Sequence, residues 1–136
     1  MKASFPKKSM LIAVLADEST VTGFLLTGMG ERGKDGKANY VIVDRETSDA
    51  QLEESLGRFL NENYGVVLIA QSVAERVRNM IVEHQNDELK LVPTILEIPA
   101  KDAPYDPTKD GMLVAAAQKL FGQEAGIEKL REGAAE

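Results

Sequence analysis

The stretch LIAVLADESTVTGFLLTG, Leu11 to Gly28, decides the fold class. Its first six residues are all apolar, which is typical of a strand covered on both faces, as in a parallel sheet. Two acids follow, and Ser19 then stands where it could cap a helix that carries Val21, Phe24 and Leu25 on one face. A buried strand that leads directly into a helix indicates an α/β domain.

The same alternation continues along the chain. The predicted strands are Met10–Ala16, Tyr40–Asp44, Val66–Ala70 and Pro93–Ile98. Between them lie two helical stripes, the first preceded by a capping box of Ser48 and Gln51. The stripes are Leu52, Leu56, Phe59, Leu60 and Val73, Val77, Met80, Ile81. The pattern predicts a four-stranded parallel sheet with flanking helices, receiver-like or Rossmann-like, with right-handed crossovers.

The C-terminal part departs from this alternation. The segment IPAKDAPYDPTKD, residues 98–110, contains three prolines and predicts either an ordered elbow or a linker. Asp106 is the predicted cap of a last helix and Pro107 its first residue, and with no fifth strand to follow, this helix is predicted to dock on a partner. The end after Gly122 is polar and is expected to fray. The predicted organisation is a flexible arm 1–9, a sheet domain 10–105, a docking helix 106–122 and a polar tail 123–136.

Composition excludes several classes of protein. The 136 residues carry a formal net charge of -6, which would repel the phosphate backbone of nucleic acids. The absence of cysteine excludes disulfides and thiolate metal sites and fits a reducing compartment. No apolar run approaches the roughly 18 residues of a membrane span. We therefore expect a cytoplasmic protein that neither binds nucleic acid nor inserts into a membrane.

The acids Asp17 and Glu18 occupy the position of a receiver-type metal site. Such a site also needs a phosphoacceptor carboxylate after the third strand, where this chain has Ala70 and Gln71. Receiver phosphorylation is excluded on this ground. The two acids are predicted to be solvated and to favour the positive end of the first helix.

Other motifs for catalysis or cofactor binding fail on their context. GMGERG, residues 28–33, matches G-x-G-x-x-G but closes a helix instead of opening one, so loop 28–37 is interpreted as a charged loop or as a contact with a neighbouring subunit. His84 is the only histidine and has no second ligand nearby, so a structural or exposed role is predicted. No catalytic, cofactor-binding or metal residue is predicted, and no cofactor is expected.

Four blocks of sequence carry a family resemblance. They are LIAVLADESTVTGFLLTGMGE at 11–31, IAQSVAERVR at 69–78, PTILEIPAKDAPYDPTKD at 93–110 and KLF at 119–121. DESTVTGF and EIPAK-x-x-PYD are the most specific parts, and on them the chain resembles the F-subunit family of the eukaryotic V-type (vacuolar) proton ATPase. Ala70, Ala100 and Ala103 stand where the family usually has asparagine, serine and histidine.

The resemblance implies a receiver-like fold without receiver chemistry. It implies a non-catalytic subunit of the central rotor stalk, packed on the coiled coil of the D subunit, that couples ATP hydrolysis by other subunits to proton transport. It also implies a peripheral location on the cytosolic face of vacuolar and other endomembranes. Contacts of loop 28–37 with the catalytic hexamer, and of the whole chain with the membrane-sector rotor, are further expectations.

The predicted partner interface combines the elbow with the last helix. Its residues are Ile98, Pro99, Lys101, Tyr105, Asp106, Leu113, Val114, Leu120 and Phe121. The main alternative is a stand-alone pseudo-receiver, a signalling module without a phosphoacceptor, which would give no reason for EIPAKDAPYD or for a terminal helix. An enzyme that binds a nucleotide or small molecule is the weakest alternative, because no phosphate cradle or nucleophile is present.

Overall fold

The computed structural model describes residues 10–30 and 36–135. The strands are β1 (Leu11–Ala16), β2 (Tyr40–Ile42), β3 (Tyr64–Ala70) and β4 (Thr94–Ile98). They form one all-parallel sheet in the order β2-β1-β3-β4. The helices are α1 (Glu18–Phe24), α2 (Asp49–Asn61), α3 (Gln71–Arg76), α4 (Arg78–Asn86), α5 (Gly111–Phe121) and α6 (Gln123–Ala134). The predicted α/β fold is confirmed, with strand ends within two residues of the prediction; the predicted arm 1–9 lies outside the described residues.

The sheet has two unlike faces, because side chains alternate along each strand. One face is largely buried, and its most buried side chains are those of Ala13, Leu15, Val67, Ile69, Ile95 and Glu97. Right-handed crossovers place α2, α3 and α4 over this face. The crossover from β1 to β2 runs in the opposite direction across the sheet, so α1 lies on the other face.

The first helix is capped by Asp17 and not by Ser19 as predicted. The carboxylate of Asp17 accepts hydrogen bonds from the Thr20 backbone nitrogen at 3.1 Å and from the Thr20 hydroxyl at 2.6 Å. These bonds, led by the one from the hydroxyl, lower the pKa of Asp17 because they favour the charged form. The helix continues into a π-helical turn, Leu25–Met29, where Gly28 has a φ of 88°, a left-handed conformation that glycine adopts without strain.

We expect Asp17→Ala to lower the free energy of unfolding by about 1 kcal/mol at neutral pH, because the helix loses its cap. The pKa of Asp17 is lowered in the folded state, so its stabilising effect is present above the unfolded-state pKa and is lost as the pH falls through the folded-state pKa. Urea unfolding of the wild-type chain and of Asp17→Ala, measured at several pH values across this acid range, will test the predicted pH dependence. A difference that stayed constant down to the lowest pH would contradict the ionised cap.

The next two predicted helices have different outcomes. The capping box of Ser48 and Gln51 is present, and the α2 stripe is buried except for Leu60, which is half-buried. The stripe after β3 was predicted as one helix, which is wrong: Val77, with φ -119° and ψ 24°, separates α3 from α4. Val77 stays buried at the break, while Arg78 turns toward β4. Periodicity alone could not reveal a break that keeps the apolar stripe intact.

The C-terminal part forms a helical hairpin. Helix α5 begins at Gly111 and is capped by Asp110, so the predicted start at Asp106 and Pro107 is wrong. The tail, expected to fray, instead forms the 12-residue helix α6. Gly122, with a φ of 87°, separates the two helices. Gly126 is buried so closely against α5 that an added Cβ would lie 2.7 Å from the carbonyl carbon and oxygen of Ala117.

We expect Gly126→Ala to lower the free energy of unfolding by about 1 kcal/mol, because the new methyl group meets backbone that cannot rotate away. Gly133→Ala is the matched control, since nothing lies within 4 Å of its added Cβ and alanine favours a helix. Thermal melts and hydrogen exchange of α6 amides will compare the two. Equal or greater stability of Gly126→Ala would show that α6 does not pack on α5 as described.

Candidate partner interface

The elbow is fastened to the sheet by Gln71, the first residue after β3. This buried side chain donates a hydrogen bond from Nε2 to the Asp106 carbonyl and accepts one from the Asp106 backbone nitrogen, both at 2.7 Å. Two bonds to one peptide segment fix both the position and the orientation of the elbow. Gln71 thus lies at the position where a receiver domain has its phosphoacceptor, and here it has a structural role.

A second set of bonds joins the elbow to the start of α5. The Asp106 carboxylate accepts bonds from the backbone nitrogen and hydroxyl of Thr108, and these bonds lower the pKa of Asp106. The Tyr105 hydroxyl donates to the carboxylate of Asp110, whose other oxygen caps α5. Burial, followed by this bond to Asp110, raises the pKa of Tyr105. The elbow is therefore a defined structure and not a loose linker.

Glu97 joins three elements at the edge of the sheet. Its carboxylate accepts two bonds from the guanidinium of Arg78, each of 2.8 Å, and a third of 2.9 Å from the backbone nitrogen of Gly111. The Glu97 side chain is 2% exposed. The hydrogen bonds to Glu97 are the largest cause of the raised pKa of Arg78. This carboxylate thereby holds α4, β4 and the first turn of α5 together.

The predicted interface residues differ in how far they are available to a partner. Pro99, Lys101 and Leu113 are exposed, with the Lys101 amine 3.3 Å from the Ser19 hydroxyl. Leu120 is 77% and Phe121 is 53% exposed. The remaining four are half-buried, and they are Ile98, Tyr105, Asp106 and Val114. Leu113, Leu120 and Phe121 of α5 are thus more accessible to a partner than Tyr105 and Asp106, which already make hydrogen bonds within the chain.

The sequence prediction missed that part of the α5 stripe is already covered. Leu113, Leu120 and Phe121 follow the i, i+7, i+8 spacing of one helix face, and Ala117 lies in the middle of that face. Ala117 is buried against Gly126 of α6. Ile127 and Leu130, three residues apart in the tail, were the available signal for α6, but the many charged residues around them favoured the prediction of a solvated tail.

The positions considered for chemistry serve the fold. Within residues 10–30 and 36–135, no group of three or more histidine, aspartate or glutamate side chains could hold a metal ion. His84 is buried, and its Nε2 donates a hydrogen bond to the Pro93 carbonyl at 2.8 Å. Of the two predicted roles, structural or exposed, His84 therefore has the structural one. In the G-x-G-x-x-G match, residues 31–33 fall in the part that the structure does not describe, and Gly28 ends a helical segment instead of opening one.

None of the helices in the described part of the chain has the length and apolar character needed to cross a membrane.

The fold and these contacts define a class of protein, a receiver-like α/β domain. The polar residues that follow β1 and β3, Asp17 and Gln71, make structural hydrogen bonds, and the end of α5 exposes apolar side chains. Comparison with known proteins identifies the family. Residues 12–115 match the family described as ATP synthase (F/14-kDa) subunit. The chain belongs to this family, and the resemblance found in the sequence is confirmed.

Relatives named as the F subunit of V-type proton ATPases cover most of the chain. The Xenopus laevis protein is 46% identical over 112 residues, which are 82% of this chain and 97% of the relative. The Homo sapiens protein is 43% identical over 118 residues, 86% of this chain and 95% of the relative. The Dictyostelium discoideum protein is 40% identical over 118 residues, 86% of this chain and 94% of the relative. The chain is an accessory subunit of a V-type proton ATPase and not an enzyme by itself.

Proposed function

We propose that the chain is a non-catalytic subunit of the central rotor stalk in the soluble sector of the V-type proton ATPase. The observation that carries this proposal is the end of α5, where Leu120 and Phe121 are largely exposed in a chain of the F-subunit family. Neighbouring large apolar side chains exposed on one helix indicate a surface that a partner covers. A helix with such a stripe suits docking on another helix.

The proposed partner is the coiled coil of the D subunit. Full burial of one such side chain contributes roughly 1.5 to 3 kcal/mol, so burial of the parts of Leu113, Leu120 and Phe121 that are still exposed would contribute about 2.5 to 5 kcal/mol together, before the costs of association are subtracted. This gain alone gives a weak complex. A stable interface buries at least about 1,000 Å² in total, so exposed elbow residues such as Pro99 and Lys101, and part of the sheet domain, must also take part.

In this proposal the chain transmits torque and performs no chemistry. Other subunits hydrolyse ATP, the shaft formed by the D subunit and this chain turns inside the catalytic hexamer, and rotation drives the membrane sector that moves protons. The chain is then peripheral, on the cytosolic face of vacuolar and other endomembranes. Loop 28–37, of which residues 31–35 are not described, is a proposed contact with the hexamer, and the membrane-sector rotor is a further proposed contact.

Co-purification tests the proposal. Native pull-down with the tagged chain, followed by size-exclusion chromatography of the chain mixed with the recovered coiled-coil protein, should give a stoichiometric complex. Recovery of a signalling protein without ATPase subunits would instead favour the pseudo-receiver. Thermal unfolding with and without magnesium, acetyl phosphate or nucleotides separates the subunit from a ligand-binding protein. A ligand present at 100 times its Kd raises the free energy of unfolding of the chain that binds it by about 2.7 kcal/mol. We expect no such stabilisation.

A further inference from the structure

Helix α6 lies beyond residues 12–115, the part that matches the family, and its main contacts are with α5. Gly126, which packs on Ala117, is its buried residue; Ile127 and Leu130 are half-buried, and its other side chains are exposed. Within residues 10–30 and 36–135, no side-chain hydrogen bond or ion pair joins α6 to another element, and the ion pair that α6 forms is internal. An element with so little buried surface separates from the domain at a lower free energy than global unfolding.

One glycine, Gly122, connects the two helices, and its backbone hydrogen bonds are already those of a continuous helix. Its nitrogen donates to the Gln118 carbonyl, and its carbonyl accepts from the Gly126 nitrogen, both at 2.9 Å. These are the bonds between residues four apart that define an α-helix. The break lies in the torsion angles of Gly122, φ 87° and ψ 166°, and glycine also adopts the helical conformation. Rotation at this one residue therefore turns the hairpin into a single helix, residues 111–134.

The hairpin leaves polar backbone groups on both sides of Gly122 that a single helix would pair. In the described part of the chain, the backbone nitrogens of residues 123–125 form no hydrogen bond with α5, and no side chain caps the start of α6. The carbonyls of residues 119–121 lie in the last turn of α5. Straightening would join each of these nitrogens to the carbonyl four residues earlier. These bonds offset part of the contact between Gly126 and Ala117 that opening gives up.

The sequence carries an apolar seven-residue repeat across the break. The repeat, which we call the heptad stripe, consists of Leu113, Leu120, Ile127 and Ala134 and, three residues after the first three of these, Ala116, Gln123 and Leu130. Gln123 is its one polar member, and the pattern is typical of a helix that packs along a coiled coil. The hairpin does not account for it, because the contact that closes the hairpin is between Ala117 and Gly126, outside the stripe. Two helices separated by a turn split the stripe into halves.

We propose that α6 swings out at Gly122 when the chain binds its coiled-coil partner, so that α5 and α6 form one helix whose heptad stripe lies along that partner. This inference rests on the proposed function and adds the conformational change that accompanies docking. Helix α5 keeps its place in both states, because Glu97 holds Gly111 and Tyr105 holds Asp110. Opening brings Ile127 and the residues after it into the contact, and this additional burial shifts the equilibrium toward the single helix.

A second copy of this chain is a poorer partner for the opened helix. The formal net charge of -6 on each chain opposes self-association. The isolated chain is therefore expected to be a monomer with a closed hairpin, and the coiled coil supplies the apolar surface that opens it.

A distance measurement tests the opening directly. The chain has no cysteine, so Lys109→Cys with Ala134→Cys introduces its only two thiols, at positions that line one cavity in the hairpin. In a single helix the two α-carbons would lie about 37 Å apart, at about 1.5 Å per residue. Pulsed electron spin resonance of attached spin labels should give a short distance in the isolated chain and this long distance in the complex. A short distance that persisted in a stoichiometric complex would overturn the proposal.

Gly122→Ala tests the hinge without any partner. Alanine is strained at a φ of 87° and favours a helix, so the long distance should become more populated in the isolated, labelled chain. Gly133→Ala is the matched control, because it adds the same methyl group to α6 in open space and should keep the short distance. An unchanged distance in Gly122→Ala would contradict the hinge. Light scattering should show a monomer, and a long distance found only in a dimer would mean that α6 pairs with a second copy, which also contradicts the proposal.

A locked hairpin tests what the opening contributes to affinity. A short bis-maleimide joins the two thiols of the same variant, and the control is this variant with both thiols capped by N-ethylmaleimide. In titration calorimetry with the recovered coiled-coil protein, we expect the locked chain to bind at least about tenfold more weakly than the capped chain. If the wild-type chain does not bind, the proposed function fails, and the inference that rests on it fails as well. If locked and capped chains bind equally well, the inference fails and the proposed function stands.

Discussion

Replacement of Glu97 by glutamine is expected to lower the free energy of unfolding by about 3 kcal/mol, the low end for breaking a buried ion pair. Glutamine keeps the size and shape of the side chain but leaves the charge of Arg78 without its partner. The carboxylate is almost fully buried, whereas Arg78 is a quarter exposed, so water compensates part of the loss. The bond from Gly111 also weakens, because a neutral amide oxygen accepts it in place of a charged carboxylate.

Glu75→Gln provides the matched control for this effect. Glu75 pairs with Lys109 at 3.4 Å, and both side chains are about half exposed, so the same chemical change should cost less than about 1 kcal/mol. Urea unfolding followed by circular dichroism measures both variants. Equal effects would show that Glu97 holds α4, β4 and α5 no more firmly than an ordinary surface pair does.

The fold class could be predicted because it depends on local patterns. Continuous apolar runs identified four strands, and helical stripes between them fixed the order of the elements. The contacts that Glu97 and Gln71 make were not predictable, because each joins residues far apart in the chain: Gln71 meets Asp106, 35 residues away. Nothing in the composition of either segment indicates such a pairing.

The predicted start of the last helix failed for a local physical reason. Asp106 followed by Pro107 has the composition of a helix start, since aspartate is a good cap and proline suits the first turn. Asp106 instead caps a short turn through Thr108. Asp110, four residues later, makes the same kind of bonds to α5 and is held in place by Tyr105. Two aspartates could have capped the helix, and the bond from Tyr105, five residues earlier in the chain, holds Asp110 in the capping position.

The positions that suggested chemistry have structural roles in this domain. Asp17 was predicted to be a solvated acid near the first helix, and it serves as the cap of that helix. Gln71 stands where a phosphoacceptor would be needed, and it holds the elbow. Lys101 closes the gap between the elbow and α1 by its contact with Ser19. The end of the sheet where other α/β domains bind ligands is used here to fix the elbow and the start of α5.

Simultaneous replacement of Leu120 and Phe121 by serine is expected to weaken binding of the coiled-coil protein by roughly 100-fold or more. Full burial of one such side chain contributes about 1.5 to 3 kcal/mol, so burial of the exposed parts of Leu120 and Phe121 in a complex would contribute about 2 to 4 kcal/mol together. The sheet domain should keep its stability, because neither residue belongs to the buried core. Titration calorimetry measures the affinity, and circular dichroism melts measure the stability.

The matched control replaces Leu89 and Leu91 by serine. These two leucines are also highly exposed, but they lie in the connection between α4 and β4 and not on α5. If both double variants weakened binding equally, general loss of apolar surface would explain the result better than docking of α5. If Leu120→Ser with Phe121→Ser lost both its fold and its binding, the end of α5 would be part of the core. The docking role of this helix requires loss of affinity in a chain whose melting temperature is unchanged.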